Sequence, residues 1–281
     1  RAAAAPAISL DLSGVGEVEL PYPDRFAVGG LIRGTFENDI VSGDFTLEMW
    51  VKYNGDATGV SGKVFEMLGD TGHGYRLVIE NGAPKGEIFS TAGGTEEVLA
   101  YVGGQYATPI LEADTWTHLA LVWTPASKSL TLYRDRLAII GSLQISYTID
   151  FGTVAQYAKL HKMNNLHLDE FRFWNSARND EQIEYWATRI VPSPLWSSAL
   201  PILNTDYMYE PYSLQAYYRF DDGGDKVEDF AHFGDEDYML DGSAFAGMLT
   251  GSDAKVLDGV DDVDGDGIPE WWVYYNRLDS F

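Results

Sequence analysis

The fold of this chain is decided by residues 166–183, which read LHLDEFRFWNSARNDEQI. The apolar side chains at the start of this stretch recur with the period of two that is typical of a β-strand. Leu168 and Phe171, however, are three positions apart, so both can point into one core only if the strand takes an extra residue at Asp169-Glu170. The stretch therefore predicts a strand with a β-bulge, and two carboxylates lie at the bend.

A short helix is predicted directly after this strand. Asn179 has a side chain suited to a helix N-cap, and Gln182 lies at the capping-box position. Acidic residues fill the first turn, where the helix dipole favours negative charge. We expect the helix to run to about Arg189 and to end before Pro192.

Three sequence blocks together resemble a laminin-G-like (LamG-like, concanavalin A-like) domain. The closing strand reads hydrophobic-Asp-Glu-hydrophobic-Arg-hydrophobic-Trp-Asn, and the blocks DFTLEMWVK (44–52) and DTWTHLALVWTPASKSLTLYR (114–134) precede it in the same order. The resemblance spans roughly residues 8–190. It implies an all-β fold, an antiparallel β-sandwich (jelly roll) with one short helix after the closing strand. It does not select a function, because the superfamily includes lectins, adhesion modules and glycosidases.

Simple alternation of side chains predicts the other strands. Residues 45–51 place apolar side chains on one face and Thr46, Glu48 and Trp50 on the other, which predicts a strand buried on one face only. Residues 8–20 predict either two strands or one bent strand. Asn81-Gly82 is a hairpin signal between two of the further strands. Those further strands are expected at residues 64–68, 75–80, 87–90, 117–123 and 130–133.

Composition along the chain predicts five parts. They are an N-terminal tail (1–7), the LamG-like domain (8–190), a proline-rich connector (191–213), an additional strand with an acidic, glycine-rich segment (214–257), and a C-terminal calcium-loop extension with an aromatic segment (258–281). The strand LQAYYRFD (214–221) either joins the sheet of the preceding jelly roll or starts a shortened second unit, and we favour the first. The acidic residues that follow it are expected to form a solvated loop.

The charge of the chain limits its partners. It has 19 Lys and Arg residues against 43 Asp and Glu residues, so its formal net charge is -24. This charge repels nucleic acid and anionic lipid and favours cations as partners. The absence of cysteine excludes thiolate metal sites and a cysteine nucleophile. No apolar run has the length of a membrane span, and we expect a secreted or cell-surface (extracellular) protein, or a processed piece of one.

The clearest chemical signal is the sequence DVDGDGIPE at residues 262–270. Acids at positions one, three, five and nine, with glycine at six, reproduce the first nine positions of an EF-hand calcium loop. Because the crowded carboxylates repel one another, the folded loop needs a hard divalent cation, and oxygen ligands favour Ca²⁺. The alternative is a disordered acidic tail, which the aromatic sequence WWVYY (271–275) disfavours because it needs a surface to pack against.

The calcium loop departs from the EF-hand at position twelve, where Val273 replaces the bidentate glutamate. It therefore resembles more closely the shorter calcium loops of thrombospondin type 3 repeats and dockerins. That resemblance implies coordination by the side chains of Asp262, Asp264, Asp266 and Glu270 and by the carbonyl of Ile268. A second metal site is a weaker hypothesis at Asp169 and Glu170, whose alternative role is to accept backbone N–H bonds or to pair with Arg172 or Arg178.

The sequence does not support catalysis. Glycosidases of this superfamily carry carboxylates spaced as Glu-x-Asp-x-x-Glu, and no such triplet occurs in the chain. We therefore expect a calcium-binding module for glycan or surface-ligand recognition, with a glycan or a cell-surface or matrix protein as partner. The alternative is a structural subunit or rigid spacer that contacts further copies or domains of an extracellular assembly. The third hypothesis is a degraded glycosidase scaffold. Possible stacking platforms for a sugar are Tyr53, His73, Tyr101 and Tyr106, and the ordinary alternative for each is a place at the surface or in the core.

Overall fold

The computed structural model describes a little over half of the chain. The described residues are 9–13, 17–26, 43–91, 96–99, 110–135, 137–138, 143–144, 150–152, 154–187, 191, 213–220, 226–227, 229–232, 237, 240–241 and 249–250. None of the described helices has the length and apolarity needed to cross a bilayer.

Two antiparallel sheets pack as a sandwich. The larger sheet contains β1 (Ser9–Asp11), β3 (Phe45–Tyr53), β8 (Trp116–Thr124), β9 (Ser129–Arg134), β10 (Leu137–Ala138), β11 (Leu143–Gln144), β13 (Leu166–Trp174), β14 (Leu214–Tyr218) and β17 (Leu249–Thr250). The smaller sheet contains, in spatial order, β2 (Val18–Glu19), β12 (Ala155–Leu160), β4 (Gly62–Gly69), β5 (His73–Glu80), β6 (Ala83–Ser90) and β7 (Glu96–Leu99). The other elements are a two-stranded ladder of β15 (Lys226–Val227) and β16 (Leu240–Asp241), the helix α1 (Asp180–Trp186), and 3-10 turns at Pro23–Phe26 and Phe230–His232.

The core lies between the two sheets and is rich in aromatic rings. Phe45 of the larger sheet stacks on Tyr75 of the smaller sheet, with 4.1 Å between ring centroids. Phe26, in the first 3-10 turn, packs against Phe173 at 4.9 Å. All four side chains are buried in one cluster to which both sheets contribute. The predicted all-β sandwich with one short helix is confirmed.

The predicted bulge lies in β13. The pairing of β13 with β3 runs from Asp169 opposite Trp50 directly to Arg172 opposite Glu48, so the register shifts by the expected extra residue. Glu170 takes up the bend with φ 50°, in the left-handed region. Leu168 and Phe171 are consequently both buried in the core, as their three-residue spacing requires.

The bulge also divides the edge of β13 between two strands from distant parts of the chain. Before the bulge, β13 pairs with β1, where Leu10 lies opposite Leu168. After the bulge it pairs with β14, where Tyr218 lies opposite Phe171. The strand near residue 214 therefore joins the sheet of the jelly roll, the alternative that we favoured. The first strand pattern is resolved as two strands, with β1 in the larger sheet and β2 in the smaller one.

The hairpin predicted at Asn81-Gly82 is confirmed, and the predicted strands 117–123 and 130–133 also pair as a hairpin. Asn81 and Gly82 connect β5 to β6 with φ values of 51° and 84°, as a tight turn between twisted strands requires. Gly82 is also needed for space, because a Cβ atom there would lie 2.5 Å from the carbonyl oxygen of Ala57. β8 and β9 form the second hairpin, with Thr124 opposite Ser129.

Helix α1 begins as predicted and ends earlier. Asn179 caps the helix: its side chain accepts from the backbone N–H of Gln182, whose side chain accepts from the backbone N–H of Asn179. The last helical residue is Trp186, not Arg189. The carbonyl of Trp186 accepts from the Arg172 guanidinium at 2.6 Å, so a donor on the sheet replaces the N–H of a further helical turn.

The helix covers the outer face of the larger sheet, which corrects the prediction for β3. Thr46 and Glu48 were expected to face solvent, but both are fully buried. Ile183 of α1 packs with Ala120 and Val122 on this face. Alternation along β3 identified the two faces, but it could not show that a helix formed after residue 179 would cover the second one.

The predicted acidic loop after residue 221 is only partly a loop. It contributes β15, β16 and a 3-10 turn, and Asp229 is buried. The Asp229 carboxylate pairs with Arg25 and accepts from the backbone N–H groups of Tyr217 and Ala231 at 2.8 and 3.0 Å. This acid therefore attaches the first 3-10 turn to β14 rather than being solvated.

Candidate functional site

The outer face of the smaller sheet carries a row of alternating charge across four strands. Lys159 of β12 lies opposite Glu66 of β4, Glu66 lies opposite Arg76 of β5, and Arg76 lies opposite Glu87 of β6. Directly opposed residues of antiparallel strands point to the same face, so these four side chains form one row. We name Lys159, Glu66, Arg76 and Glu87 the charge ladder.

The arginine of the charge ladder bridges its two carboxylates. Arg76 Nη1 lies 3.2 Å from Glu66 Oε2, and Arg76 Nε donates to Glu87. Lys63 Nζ lies 2.7 Å from the same Glu66 oxygen. Burial alone would raise the pKa of the Glu66 carboxyl, but hydrogen bonds from Lys63 and Tyr157 outweigh it, and the pKa lies below its ordinary value of 4.5. Glu66 is therefore an ionised acceptor at neutral pH.

Two aromatic rings lie beside the charge ladder. Tyr157 donates its hydroxyl to Glu66 Oε1 at 2.8 Å, and the ammonium of Lys159 lies 4.2 Å from its ring centroid. Burial and the bond to Glu66 raise the pKa of Tyr157 to about 12, so the phenol keeps its proton. The second ring belongs to Phe89, with the Arg76 guanidinium 4.8 Å away. Phe89 covers Gly74 so closely that a Cβ atom there would lie 2.5 Å from the ring.

The strand β2 extends this face at the sheet edge. Glu17, just before β2, holds Lys159 at 2.8 Å and His161 Nδ1 at 3.0 Å. Burial lowers the pKa of His161, although the carboxylates of Glu17 and Glu66 act in the opposite sense. The face thus combines carboxylate acceptors, ammonium and guanidinium donors and aromatic rings. These are the groups that bind a ligand with many hydroxyls and a partly apolar surface.

Comparison with protein families identifies the fold. A laminin-G-type family model, described as the concanavalin A-like lectin/glucanases superfamily, matches residues 33–184, more than half of the chain. The chain belongs to this superfamily. The family resemblance seen in the sequence is therefore confirmed for the jelly roll, whereas the likeness of residues 262–270 to thrombospondin and dockerin loops stays a prediction. A search of curated proteins gave no match.

Three solved structures are similar to this concanavalin A-like chain at low identity. A candidate carbohydrate-binding protein from Bacteroides ovatus has 15% identity and a TM-score of 0.46, covering 83% of this chain and 56% of its own. A heptameric SAP-like pentraxin from Limulus polyphemus has 11% identity and a TM-score of 0.38, and the match covers 63% of this chain and 82% of the pentraxin. The Ruminococcus gnavus IT-sialidase CBM40 bound to α2,3-sialyllactose has 11% identity and a TM-score of 0.38, and the match covers 50% of this chain and 81% of the CBM40. The chain thus spans little over half of the Bacteroides protein.

Of the residues predicted as stacking platforms in this concanavalin A-like domain, Tyr53 and His73 lie among the described residues. Tyr53 is 7% exposed and belongs to the core, the ordinary alternative for an inward position of β3. His73 is half-buried at the start of β5, with Nδ1 3.4 Å from Thr71 Oγ1, and its role stays a prediction. Tyr101 and Tyr106 lie outside the described residues.

The carboxylates of the bulge have protein partners. Glu170 Oε2 accepts from Arg172 Nη2 at 2.6 Å and from the Tyr217 hydroxyl, and Asp169 Oδ1 accepts from the backbone N–H of Glu170 at 2.8 Å. Both side chains are buried. These are the arginine pair and backbone bond that we considered as the alternative to a metal site. Among the residues that the structure describes, no group of three or more acidic or histidine side chains is arranged to hold a metal ion.

The predicted calcium loop lies outside the described residues, so Asp262, Asp264, Asp266, Ile268 and Glu270 stay a prediction. Sequence reasoning missed the charge ladder. A signal was present, because Glu66 and Arg76 each interrupt an apolar run of a predicted strand, and Glu87 is the first residue of the next predicted strand. Alternation places each residue on a face, but only the pairing register shows that the three are neighbours.

Proposed function

We propose that this protein is a non-catalytic, extracellular glycan-binding module of the concanavalin A-like superfamily, and that a glycan binds on the outer face of the smaller sheet. The observation that carries the proposal is the charge ladder with Tyr157 beside it. Glu66 and Glu87, which are 3% and 5% exposed, supply carboxylate acceptors, and Arg76 and the half-buried Lys159 supply donors. The family description, which includes lectins, supports the same assignment.

A binding role fits these carboxylates better than catalysis does. Glycoside hydrolysis needs one carboxyl group whose raised pKa keeps it protonated as the general acid. The pKa of Glu66 is lowered instead, and Glu66 and Glu87 are both tied to Arg76. A pair of carboxylates held by one arginine is suited to accepting hydrogen bonds from sugar hydroxyls.

The glycan proposal is tested with immobilised conjugates of lactose, cellobiose, maltose and sialyllactose. Lys159→Met removes an ammonium that lies 4.2 Å from the Tyr157 ring, and we expect binding of the best conjugate to weaken about tenfold. Lys52→Met is the matched control, because the Lys52 ammonium lies 5.0 Å from the Trp116 ring on the larger sheet. Lys52→Met should bind as the wild type does.

The outcomes separate the two faces. Loss of binding in Lys52→Met with normal binding in Lys159→Met would move the site to the larger sheet and overturn this assignment. If the wild-type protein binds none of the four conjugates, the proposal that it is a glycan-binding module is wrong, and the alternative of a structural subunit or spacer is favoured.

We also propose that residues 262–270 bind Ca²⁺. The support is the spacing of the acids in the sequence and a formal net charge of -24, which a bound cation reduces locally. Added Ca²⁺ should raise the melting temperature and protect Trp271 and Trp272 from proteolysis, because a ligand of the folded state stabilises it. Asp264→Ala should abolish both effects, and equal protease resistance with and without chelator would contradict the loop assignment.

A further inference from the structure

The chain contains two Asn-Gly pairs, Asn54-Gly55 and Asn81-Gly82, and the surroundings of the two pairs differ. In such a pair the backbone nitrogen of the glycine can attack the side-chain carbonyl carbon of the asparagine, because glycine has no Cβ atom to hinder the approach. The attack forms a cyclic imide, a succinimide, and releases ammonia. In a folded protein it occurs only where the glycine nitrogen can turn toward the asparagine side chain.

The pair Asn81-Gly82 is protected from this reaction. Gly82 is buried, and its N–H donates to the backbone carbonyl of Val60 at 2.7 Å. Gly82 also lies too close to Ala57 and Ile110 for a Cβ atom to fit, so the turn has no room to move. Attack by this nitrogen would break a buried backbone hydrogen bond and leave its carbonyl partner unsatisfied.

The pair Asn54-Gly55 lies in an open bend directly after β3. Both residues are exposed, and no atom of the described residues lies within 4 Å of the position that a Cβ atom on Gly55 would take. The N–H of Gly55 donates at 3.2 Å to Asp114 Oδ1, which belongs to an exposed side chain rather than to the backbone of a strand. Because water can replace such an acceptor, this nitrogen can turn without the loss of a buried hydrogen bond.

The asparagine of this open pair is held by two contacts. Asn54 Nδ2 lies 2.7 Å from Nε2 of His167, whose Nδ1 lies 3.2 Å from Ser9 Oγ. The backbone N–H of Asn54 donates to the carbonyl of Asn165 at 2.8 Å. The asparagine is therefore fixed in position, while the glycine that follows it is open to movement.

We infer that Asn54-Gly55 is a site of spontaneous covalent modification, at which the backbone nitrogen of Gly55 attacks Cγ of Asn54. The Gly55 nitrogen loses its proton, and the Asp114 carboxylate is the hydrogen-bond acceptor of that proton before the attack. The new N–Cγ bond forms, the Cγ–Nδ2 bond breaks, and Nδ2 leaves as ammonia with one added proton. Water then opens the succinimide and yields aspartate or isoaspartate at position 54.

The modification changes the charge beside a buried histidine. Burial lowers the pKa of His167, Asp11 raises it and Lys52 lowers it, and these two residues lie opposite His167 on the neighbouring strands. The reaction replaces the neutral amide at Nε2 with a carboxylate, which favours the protonated imidazole. The pKa of His167 should therefore rise after the modification. This consequence does not depend on glycan binding.

The test compares the two pairs within one molecule. The folded chain is incubated at mildly alkaline pH, and the peptides that contain each pair are followed over time by mass spectrometry. We expect conversion at Asn54 to be at least about tenfold faster than at Asn81, with isoaspartate among the products. The same chain unfolded in urea is the reference, in which the two asparagines should convert at similar rates.

Matched variants identify the reacting residue. Asn54→Gln should abolish conversion at this position, because the longer side chain would have to close a larger ring that forms less readily. Asn81→Gln is the control and should leave the rate at Asn54 unchanged. In Asn54→Asp, an NMR titration should show a higher pKa for His167 than in the wild type, and an unchanged pKa would overturn the proposed effect on His167.

Three results would overturn the modification site itself. Conversion at Asn54 that is no faster than at Asn81 in the folded chain would show that the open bend does not promote the reaction. Aspartate without isoaspartate would show direct attack by water instead of attack by Gly55. A tenfold difference that persists in urea would assign the effect to neighbouring sequence rather than to the fold.

Discussion

The two outer faces of the sandwich both carry charged side chains at outward strand positions, yet these side chains are paired in different ways. On the larger sheet, Glu48 lies 3.4 Å from His118 Nε2 and 3.7 Å from Arg178 Nε and is completely buried. Neither Glu48 oxygen has a hydrogen-bond partner among the described residues. On the smaller sheet, Glu66 accepts hydrogen bonds from Tyr157 and Arg76.

The difference comes from what covers each face. The chain after β13 turns back and forms α1 over the larger sheet, and Arg178 reaches this face with its guanidinium 3.9 Å from the Trp174 ring centroid. Charges that are withdrawn from water in this way stabilise the fold only while every partner is present. Among the described residues, no helix lies over the charge ladder, since α1 packs on the other sheet. Glu66 and Glu87 are nevertheless buried, at 3% and 5% exposure, and the more accessible groups of this face are the half-buried Lys159 and Tyr157.

The largest expected difference between the two faces follows from neutralising one carboxylate on each of them. Glu48→Gln leaves the buried Arg178 guanidinium without its charge partner, and we expect a loss of about 3 kcal/mol or more in the free energy of unfolding. Glu66→Gln on the other face should cost less, about 1 kcal/mol, because the glutamine carbonyl can still accept a hydrogen bond from Tyr157 or Arg76. Urea denaturation measures both. Equal losses would contradict this difference between the two carboxylates.

Helix α1, which covers the larger sheet, can be destabilised without a substitution in the sheet itself. Asn179→Ala removes the side chain that accepts from Gln182 at the start of α1, and loss of an N-cap costs about 1 kcal/mol. Hydrogen exchange should become faster at residues 180–186, and a fall in the unfolding free energy should accompany it. Gln156→Ala, at an exposed position of β12, is the control and should change neither quantity. Unchanged hydrogen exchange in Asn179→Ala would show that the stability of helix α1 does not depend on its N-cap.

The smallest effect concerns acid stability of the smaller sheet. Because the pKa of Glu66 in the folded protein is lowered from 4.5, its contribution to stability is complete above that pH and is lost as the pH falls through the folded-state pKa. The gap in unfolding free energy between wild type and Glu66→Gln, under about 1 kcal/mol at neutral pH, should therefore close in acid. Denaturation at a series of pH values measures it. A gap that widens below pH 4.5 would contradict the assigned direction.

Local sequence rules predicted most of the elements. The bulge at Asp169-Glu170, the hairpin at Asn81-Gly82 and the capping box of Asn179 all follow from residues close together in the chain, and the structure confirms each. Prediction of burial was less successful. Glu48 was expected to face solvent, yet it is buried, and of the two alternatives for Tyr53 the structure shows the core position. Whether an outward or terminal strand position meets solvent depends on segments far away in the chain.

The candidate site shows the same limit. Glu66, Arg76 and Glu87 were each recognisable as polar positions in predicted strands, but their neighbourhood depends on the register of three strands.

The sequence by itself determined the sandwich, its bulged closing strand and its capped helix, because alternation, spacing and capping are properties of a few neighbouring residues. Only the tertiary structure decided that Glu48 lies under helix α1 on the larger sheet and that Glu66 lies on the outer face of the smaller sheet. Strand pairing and the covering of a sheet depend on contacts between distant segments, and the free energy of a charge depends on whether those contacts remove water from around it. Both Glu48 and Glu66 are buried, but Glu66 keeps hydrogen bonds from Tyr157 and Arg76 on the outer face of the smaller sheet, whereas Glu48 lies under the helix.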